Sequence, residues 1–397
     1  MNILSDRIKA LSESETIAMA RRSRELIAKG IDIINLSLGE PDFNTPESIK
    51  EAAKKAINDN FTYYTHVSGY LELREAVAKK FKRDNNLNYT ADQIVVSTGA
   101  KQSIANAVLS LINPGDEVIV PAPFWVSYIE IIKLAGGKPV IVNTTLENDF
   151  KLDPEQLERA ITSKTRLFIY STPCNPTGTV YKKDELKSIA DVLAAHDGIY
   201  IISDEIYEHI NFSGQHESMA QFENIKDRVI TINGLSKGFA MTGWRVGFMA
   251  GPLWIAKACD KMQGQFTSAT CSIAQKAAHA AMELDPSSTW EMRDAFKRRR
   301  DLLLELLKDI PGIKANKPQG AFYVFPDITY YYGKKSDGVV ISNAQDLCMY
   351  LLEKANVAVV PGTAFGAPDY IRIAYAISED KLTEAVLRIK TALEKLN

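Results

Sequence analysis

The sequence contains little that would support a disulfide-bonded or metal-binding protein. Its four cysteines are scattered through 397 residues without a CxxC pair, and there are only five histidines to complete a zinc site. Disulfides are rare in reducing compartments, so we predict that Cys174, Cys259, Cys271 and Cys348 are buried apolar thiols. No metal is expected.

Long hydrophobic runs and a strong net charge are also missing. No run approaches the roughly 18 apolar residues that span a membrane, and the segment from Met1 to Arg7 has no apolar signal core. The net charge of −2 gives no reason to expect nucleic acid or an anionic membrane as a partner. We therefore expect a cytoplasmic protein that binds small molecules.

The pattern of short apolar segments predicts the fold class. Between Ile94 and Ala250, β-branched apolar segments alternate with helical ones, which is typical of strands covered on both faces. This predicts an α/β fold with a mostly parallel sheet. A chain of 397 residues is long for one domain, and we predict a large domain over residues 46–285.

The two ends of the chain predict a smaller, discontinuous α+β domain built from residues 1–45 and 286–397. A strand is predicted from Ile31 to Leu36, and a long helix from Thr289 to Lys308. The basic triplet Arg298-Arg299-Arg300 is predicted to lie on the solvent face of that helix.

Polar residues follow several predicted strands, at the edge where open α/β sheets bind ligands. Asp204 follows the strand that begins at Ile199, and Asn175 lies in a turn after Tyr170. Taken alone, Asp204 fits a helix N-cap and Asn175 an ordinary turn. Alternatively, a buried aspartate would keep a pyridine nitrogen protonated, with Tyr207 near the phenolic oxygen of the same ring.

The segment from Ser97 to Gln102 predicts an anion site. A strand, a glycine turn and a helix start leave backbone N–H groups free. The segment lacks GxGxxG and GxxxxGK[ST], so one isolated phosphate fits better than a nucleotide. Trp125 follows another strand end, where it fits either the core or the face of a bound ring.

Two further cations lie in apolar surroundings. Lys237 follows the apolar run Val229-Ile230-Thr231-Ile232, and burying an ammonium is costly unless it is paired or chemically used. It is either a solvated loop lysine or one that forms a Schiff base with a cofactor carbonyl, with Arg245 gripping an anion nearby. Arg372 interrupts the apolar strand from Tyr370 to Ala374, where its planar fork suits a carboxylate.

In this order and spacing, the residues resemble the pyridoxal-phosphate-dependent class I aminotransferases of fold-type I, and most closely their bacterial aspartate aminotransferase branch. The resemblance covers nearly the whole chain. Its motifs are Gly39-Glu40-Pro41-Asp42-Phe43, Asn175-Pro176-Thr177-Gly178, Ser203-Asp204-Glu205-Ile206-Tyr207-Glu208-His209, Ser236-Lys237 to Arg245, and Arg372. It implies a large domain with a mostly parallel mixed sheet flanked by helices, a smaller α+β domain, and a homodimer with shared active sites.

The resemblance also implies residue roles. Lys237 would be the internal-aldimine lysine and the base that moves the α-proton. For the cofactor ring, the implied contacts are Asp204 with the pyridinium nitrogen, Tyr207 and Asn175 with the ring oxygen, and Trp125 stacked on the ring. For the phosphate, they are Arg245, the amides of Ala100 and Lys101, and Tyr64 of a second subunit. Gly234 stands where many relatives carry a phosphate-binding hydroxyl, for which Ser236 is a candidate substitute.

For the substrate, the resemblance implies that Arg372, Asn175 and the Gly39 backbone take the α-carboxylate, beside Trp125. Lys101 is associated with the distal carboxylate of dicarboxylic substrates. The implied reaction is ping-pong transfer of an amino group from L-aspartate to 2-oxoglutarate. Relatives that also accept prephenate tend to carry a basic residue where this chain has Ser12, which argues against prephenate.

Other functions stay open at this point. An aminotransferase for aromatic or broad neutral amino acids is the nearest alternative, favoured by Tyr63, Tyr64, Trp125 and the run Tyr330-Tyr331-Tyr332. Clustered tyrosines are, however, more often surface or lid residues. A pyridoxal-phosphate lyase or cyclase is another, since the cofactor site alone does not dictate which bond breaks. A sensor module of a transcriptional regulator would need a DNA-binding segment, which the sequence does not show.

Overall fold

A computed structural model of the chain describes residues 3–12, 15–336 and 338–397. Helices form where apolar residues recur on one face. In one of them, for example, Ile49, Ala53 and Ala56 are buried along a single stripe. The helices are α1 Asp6–Ala10, α2 Glu15–Ala28, α3 Glu47–Asn58, α4 Leu71–Asn85, α5 Ala100–Leu111, α6 Ser127–Leu134, α7 Pro154–Ala160, α8 Lys183–Ala194, α9 Leu253–Phe266, α10 Ser272–Glu283, α11 Trp290–Lys308, α12 Ala344–Lys354 and α13 Glu379–Leu393.

The described strands belong to one large sheet and three small ones. They are β1 Ile34–Asn35, β2 Ile94–Ser97, β3 Glu117–Ala122, β4 Lys138–Asn143, β5 Thr165–Ser171, β6 Tyr200–Asp204, β7 Val229–Gly234, β8 Gly247–Ala250, β9 Tyr323–Val324, β10 Lys335–Ser336, β11 Val339–Val340, β12 Val357–Ala358, β13 Val360–Pro361 and β14 Ile371–Ala374.

The large sheet has seven described strands in the order β2-β8-β7-β6-β5-β3-β4. Strands β7, β6, β5, β3 and β4 run parallel, and only β8 is antiparallel to both of its neighbours. The interior strands β3, β7 and β8 are buried along their length, whereas the edge strand β4 is partly exposed. The predicted α/β fold with a mostly parallel sheet is therefore confirmed.

The smaller sheets lie near the two ends of the chain. Strand β14 pairs antiparallel with β9 and β13, and β1 pairs parallel with β12. One hydrophobic core joins residues of the N-terminal segment to α11, α12 and α13. This core matches the idea of a discontinuous smaller domain, and the boundaries at residues 46 and 286 stay a prediction.

Three sequence expectations need correction. The strand predicted from Ile31 to Leu36 is only Ile34–Asn35, because its pairing with β12 is that short. Cys271 is exposed, since it caps the start of α10 at the surface. The other three cysteines are buried, as predicted.

The third correction concerns the basic triplet in α11, of which only Arg298 lies in solvent. Arg299 is buried against Asp42, with Nη1 2.6 Å from the carboxylate, and its guanidinium covers the ring of Phe43. Arg300 is buried and donates to the Pro318 carbonyl at 2.9 Å. Partners distant in sequence satisfy both charges, so Arg299 and Arg300 tie α11 to the segments that contain Asp42 and Pro318. Among the described helices, none has the length and apolar character needed to cross a membrane.

Candidate active site

A cavity of about 310 Å³ lies at the carboxyl ends of the parallel strands. It brings together every predicted site residue except Tyr64. Those residues are Gly39, Ala100, Lys101, Trp125, Asn175, Asp204, Tyr207, Ser236, Lys237, Arg245 and Arg372. The connections after β2, β3, β5, β6 and β7 supply most of them, because parallel strands end at one edge of the sheet.

Lys237 lies three residues beyond the end of β7, with its amine turned into the cavity. Its Nζ donates a hydrogen bond to the Gly39 carbonyl at 2.5 Å. Desolvation lowers the pKa of Lys237 to about 8, with Arg372 and Arg245 adding to the effect and Glu40 opposing it. The lysine is therefore not a solvated loop residue, and it has the lowered pKa that suits a nucleophile or a base.

Asp204 ends β6 with a buried carboxylate. It accepts a hydrogen bond from the Tyr128 hydroxyl at 2.6 Å and one from the Ile206 amide at 3.3 Å. Burial raises the pKa of Asp204 to about 6, although both hydrogen bonds oppose the shift. No role was predicted for Tyr128 from the sequence, because it lies in α6, far along the chain from Asp204.

The predicted anion site lies at the start of α5. Gly99 has a φ of +83° and precedes Ala100, the first residue of the helix. Arg245 closes one side of the turn, donating to the carbonyls of Thr242 at 3.1 Å and Thr98 at 3.4 Å. Free amides at a helix start, beside a guanidinium, make a cradle suited to one phosphate. Ser236 is buried and also lines the cavity.

Lys101 and Trp125 lie together at the mouth of the cavity. The Lys101 amine is 5.0 Å from the centre of the Trp125 ring, and the ring packs edge-on against Tyr128 at 5.4 Å. Desolvation lowers the pKa of Lys101, and the nearby charge of Arg245 lowers it further. Among the residues that the structure describes, no carboxylate forms an ion pair with Lys101.

Arg372 lies within β14, with 2% of its surface exposed. It donates to Asn175 Oδ1 at 3.0 Å and to the Ser37 carbonyl at 2.6 Å. Its Nε has no partner, and in the described part of the chain no carboxylate pairs with it. A buried guanidinium held by neutral acceptors keeps its charge available for an anion from outside the protein.

Tyr207 is buried, and its hydroxyl lies 2.7 Å from the hydroxyl of Tyr323. Burial raises the pKa of Tyr207 well above that of a free phenol, and its neighbour Tyr323 adds to this. No role was predicted for Tyr323, because Tyr207 and Arg372, which it contacts in the site, come from distant segments.

Tyr64 and the run Tyr330-Tyr331-Tyr332 lie outside the cavity. Tyr64 is 98% exposed, and its contribution from a second subunit stays a prediction. In the run Tyr330-Tyr331-Tyr332, Tyr331 is buried and donates to the Pro311 carbonyl at 2.5 Å. Tyr331 therefore packs in the same hydrophobic core as α11, α12 and α13, contrary to the expectation of a surface or lid residue.

These features fit a phosphorylated pyridine aldehyde. An amine with a lowered pKa, a buried carboxylate, an aromatic face and a phosphate cradle surround one cavity, and each matches one part of that cofactor. Such a set, on an α/β sheet of this topology, defines a pyridoxal-phosphate-dependent transferase of fold-type I.

The sequence profile described as aminotransferase class I and II matches residues 31–389, so the chain belongs to this family of pyridoxal-phosphate enzymes. It is 49% identical to the bifunctional aspartate aminotransferase and glutamate/aspartate-prephenate aminotransferase of Petunia hybrida, over 98% of this chain and 82% of that protein. It is 47% identical to a probable aspartate/prephenate aminotransferase of Rickettsia bellii, over 100% of both chains.

Solved structures agree with this assignment. The aspartate aminotransferase of Rhizobium meliloti superposes with a TM-score of 0.96 at 41% identity, covering 99% of each chain. That of Thermus thermophilus with maleate gives a TM-score of 0.93 at 42% identity, covering 99% of this chain and 100% of that one. The chain is therefore an aminotransferase close to the aspartate aminotransferases.

Proposed function

We propose that this enzyme transfers the amino group of L-aspartate to 2-oxoglutarate, giving oxaloacetate and L-glutamate. The observation that carries the proposal is a pair of cations, Arg372 and Lys101, in the cavity that holds Lys237. Neither cation has a carboxylate partner among the described residues. An amino acid with a carboxylate at each end supplies one anion for each cation.

Bound pyridoxal phosphate supplies a carbonyl for covalent attachment and an electron sink for charge that develops at the substrate α-carbon. The Lys237 amine would hold the cofactor and, with substrate bound, would take the substrate α-proton on Nζ and carry it away from the α-carbon. Its pKa of about 8 leaves part of the amine neutral at neutral pH. Asp204 holds a proton on the ring nitrogen, since a cation beside this buried carboxylate restores its charge.

The other cofactor contacts orient the ring and hold its phosphate. Tyr207 and Asn175 would bond the ring oxygen, and Trp125 would cover one face of the ring. The residues that would hold the phosphate are Arg245, the amides of Ala100 and Lys101, the hydroxyl of Ser236, and Tyr64 from a second copy of the chain.

At the substrate, Arg372 grips the α-carboxylate with Asn175 and the Gly39 backbone, beside Trp125. Lys101 binds the distal carboxylate. A dicarboxylic substrate is supported by the Thermus thermophilus enzyme, a 42% identical relative determined with maleate, which is a dicarboxylate. Two successive half-reactions at one site give ping-pong kinetics.

The test is a half-reaction panel read from the cofactor spectrum. We expect L-aspartate and L-glutamate to convert the bound cofactor from its aldehyde form to its amine form, and 2-oxoglutarate to reverse the change. Aromatic amino acids that react as fast as aspartate would refute the dicarboxylic preference and favour the aromatic or broad-specificity alternative. A lyase would release product without leaving the amine form behind.

Prephenate is the second acceptor that the panel includes. Several relatives are named aspartate/prephenate aminotransferases, which favours this activity, whereas Ser12 argues against it. Ser12 is exposed, and its amide donates to Glu130 at 2.9 Å. Rapid reversal of the amine form by prephenate would refute the prediction drawn from Ser12.

We also infer a homodimer with shared active sites, in the cytoplasm. The exposure of Tyr64 supports the dimer, because an aromatic side chain left 98% exposed on one copy is free to reach another. Sedimentation analysis should give twice the 44.1 kDa chain mass. A monomer that binds cofactor with undiminished affinity would refute the shared site.

A further inference from the structure

The hydroxyl of Tyr323 is confined between neighbouring groups, and Tyr323 lines the active-site cavity. Tyr323 is the first residue of β9 and is completely buried. Its hydroxyl lies 2.7 Å from that of Tyr207, and the two rings meet nearly edge-on at 5.9 Å. The two phenols therefore share one hydrogen bond.

Gly39 leaves room for this hydroxyl. A Cβ atom on Gly39 would lie 2.5 Å from the Tyr323 oxygen, a separation too short for any side chain at that position. The carbonyl of the same glycine accepts the hydrogen bond from Lys237. The Tyr323 hydroxyl is thus packed between Tyr207 and the backbone that contacts Lys237.

The ring of Tyr323 makes a separate contact. The guanidinium carbon of Arg372 lies 4.5 Å from the ring centre, within the range of a cation–π interaction. A phenylalanine at this position would keep that contact and lose only the hydroxyl. The two parts of the side chain are therefore separable by substitution.

We propose that Tyr323 is a positioning residue that donates its proton to Tyr207, so that the Tyr207 proton points at the ring oxygen of the cofactor. This rests on the proposed function, in which Tyr207 contacts that oxygen. Each phenol carries one proton, and only one of them donates in the shared bond. Tyr207 has a proton left for the cofactor only when Tyr323 is the donor.

The surroundings keep both protons in place. Burial raises the pKa of both phenols, so neither ionises in the working range of the enzyme. Among the described contacts, Tyr323 has no second hydrogen-bond partner for its hydroxyl. Donation to Tyr207 is therefore the arrangement that satisfies Tyr323 and leaves Tyr207 free to act on a ligand.

The test is a pH titration of the absorbance of the bound cofactor, which needs no substrate. Donation from Tyr207 draws electron density from the ring oxygen and makes the conjugated titrating group less basic. Tyr207→Phe should therefore raise the apparent pKa, and Tyr323→Phe should raise it in the same direction by up to about one unit, the size of a hydrogen-bond effect. The double variant should shift no further than Tyr207→Phe alone.

Tyr375→Phe is the matched control. Tyr375 is also completely buried, and its hydroxyl donates to the Ala321 carbonyl at 3.2 Å, away from the cavity. This variant should titrate like the wild type while losing similar stability. Kinetically, Tyr323→Phe should lower kcat several-fold and leave KM for aspartate nearly unchanged, because the aromatic ring that contacts Arg372 remains.

Two results would overturn the inference. One is a Tyr323→Phe titration that overlaps the wild type and Tyr375→Phe. The other is a shift that is just as large when Tyr207 is already phenylalanine, which would show that Tyr323 acts independently. A wild type that binds cofactor but ignores aspartate would refute the aspartate proposal alone, because the titration is read without substrate.

Discussion

Replacing Gly99 by alanine should weaken both the binding of the cofactor and the fold. Gly99 has a φ of +83°, and a Cβ atom there would lie 2.4 Å from Nη2 of Arg245 and 2.8 Å from its Cζ. Side chains do not approach that closely, so Arg245 must move. The movement breaks its contacts with the carbonyls of Thr98 and Thr242, which hold the guanidinium beside the start of α5.

The magnitude has two parts. Gly99 has a φ of +83° and a ψ of 158°, a conformation that costs a residue with a side chain about 1–3 kcal/mol, which lowers the free energy of unfolding. Losing a charged hydrogen bond to the phosphate costs about 1.5–3 kcal/mol. Since about 1.4 kcal/mol corresponds to a tenfold change in affinity, the cofactor should bind about 10- to 150-fold more weakly.

Gly115→Ala separates the two parts. Gly115 has a φ of +90° and no heavy atom within 4 Å of an added Cβ, so the substitution brings backbone strain without displacing Arg245. Both variants should unfold at lower denaturant concentrations than the wild type. Only Gly99→Ala should show weaker binding in an equilibrium titration of the apoenzyme with pyridoxal phosphate. Wild-type affinity in Gly99→Ala, or an equal loss in Gly115→Ala, would refute the reasoning.

Three other predictions concern lysines. Lys101→Met should lower kcat/KM for aspartate about 10- to 150-fold, the size of one charged hydrogen bond, and change that for phenylalanine much less. The rate at which the apoenzyme captures pyridoxal phosphate should rise with pH and level off above about 8, because only the neutral Lys237 amine attacks and its pKa is lowered to about 8. Lys80→Met should cost about 3–5 kcal/mol of unfolding free energy, because Lys80 forms a salt bridge with the buried Glu208.

Each has its own check. An equal loss for both substrates would show that Lys101 serves only the phosphate. Flat capture rates between pH 6 and 9 would contradict the lowered pKa of Lys237, and Lys237→Ala should form no borohydride-stable link. For Lys80, the control is Lys54→Met, whose pair with Glu51 is exposed and should be worth little; equal stability losses would count against the buried pair.

The sequence was most informative where a local pattern carries the physical cause. Asp204 and Lys237 were predicted because each polar residue follows an apolar strand, and parallel strands bring such positions to one edge. The glycine turn before α5 could also be predicted from the sequence, because Gly99 and the helix start are adjacent in the chain. Each of these predictions depended on a few neighbouring residues.

It was least informative where the partner lies far along the chain. Tyr128 and Tyr323 carry no local sign of the residues they contact. Arg299 and Arg300 were placed in solvent because consecutive charges on a helix usually lie there, whereas Asp42 and the Pro318 carbonyl make their burial tolerable. Pairing between distant segments decided these cases, and no sequence window contains both partners.

The electrostatics around Lys237 couple its proton affinity to the occupancy of the site. Desolvation is the largest cause of its lowered pKa, but Arg372 and Arg245 also lower it. In the proposed complex, the phosphate neutralises Arg245 and the substrate carboxylate neutralises Arg372. The free site therefore favours the neutral amine needed to capture the cofactor, and the filled site raises the affinity of the same amine for the α-proton. Lys237 thereby serves first as a nucleophile and then as a base, because binding of the phosphate and of the substrate carboxylate raises its pKa.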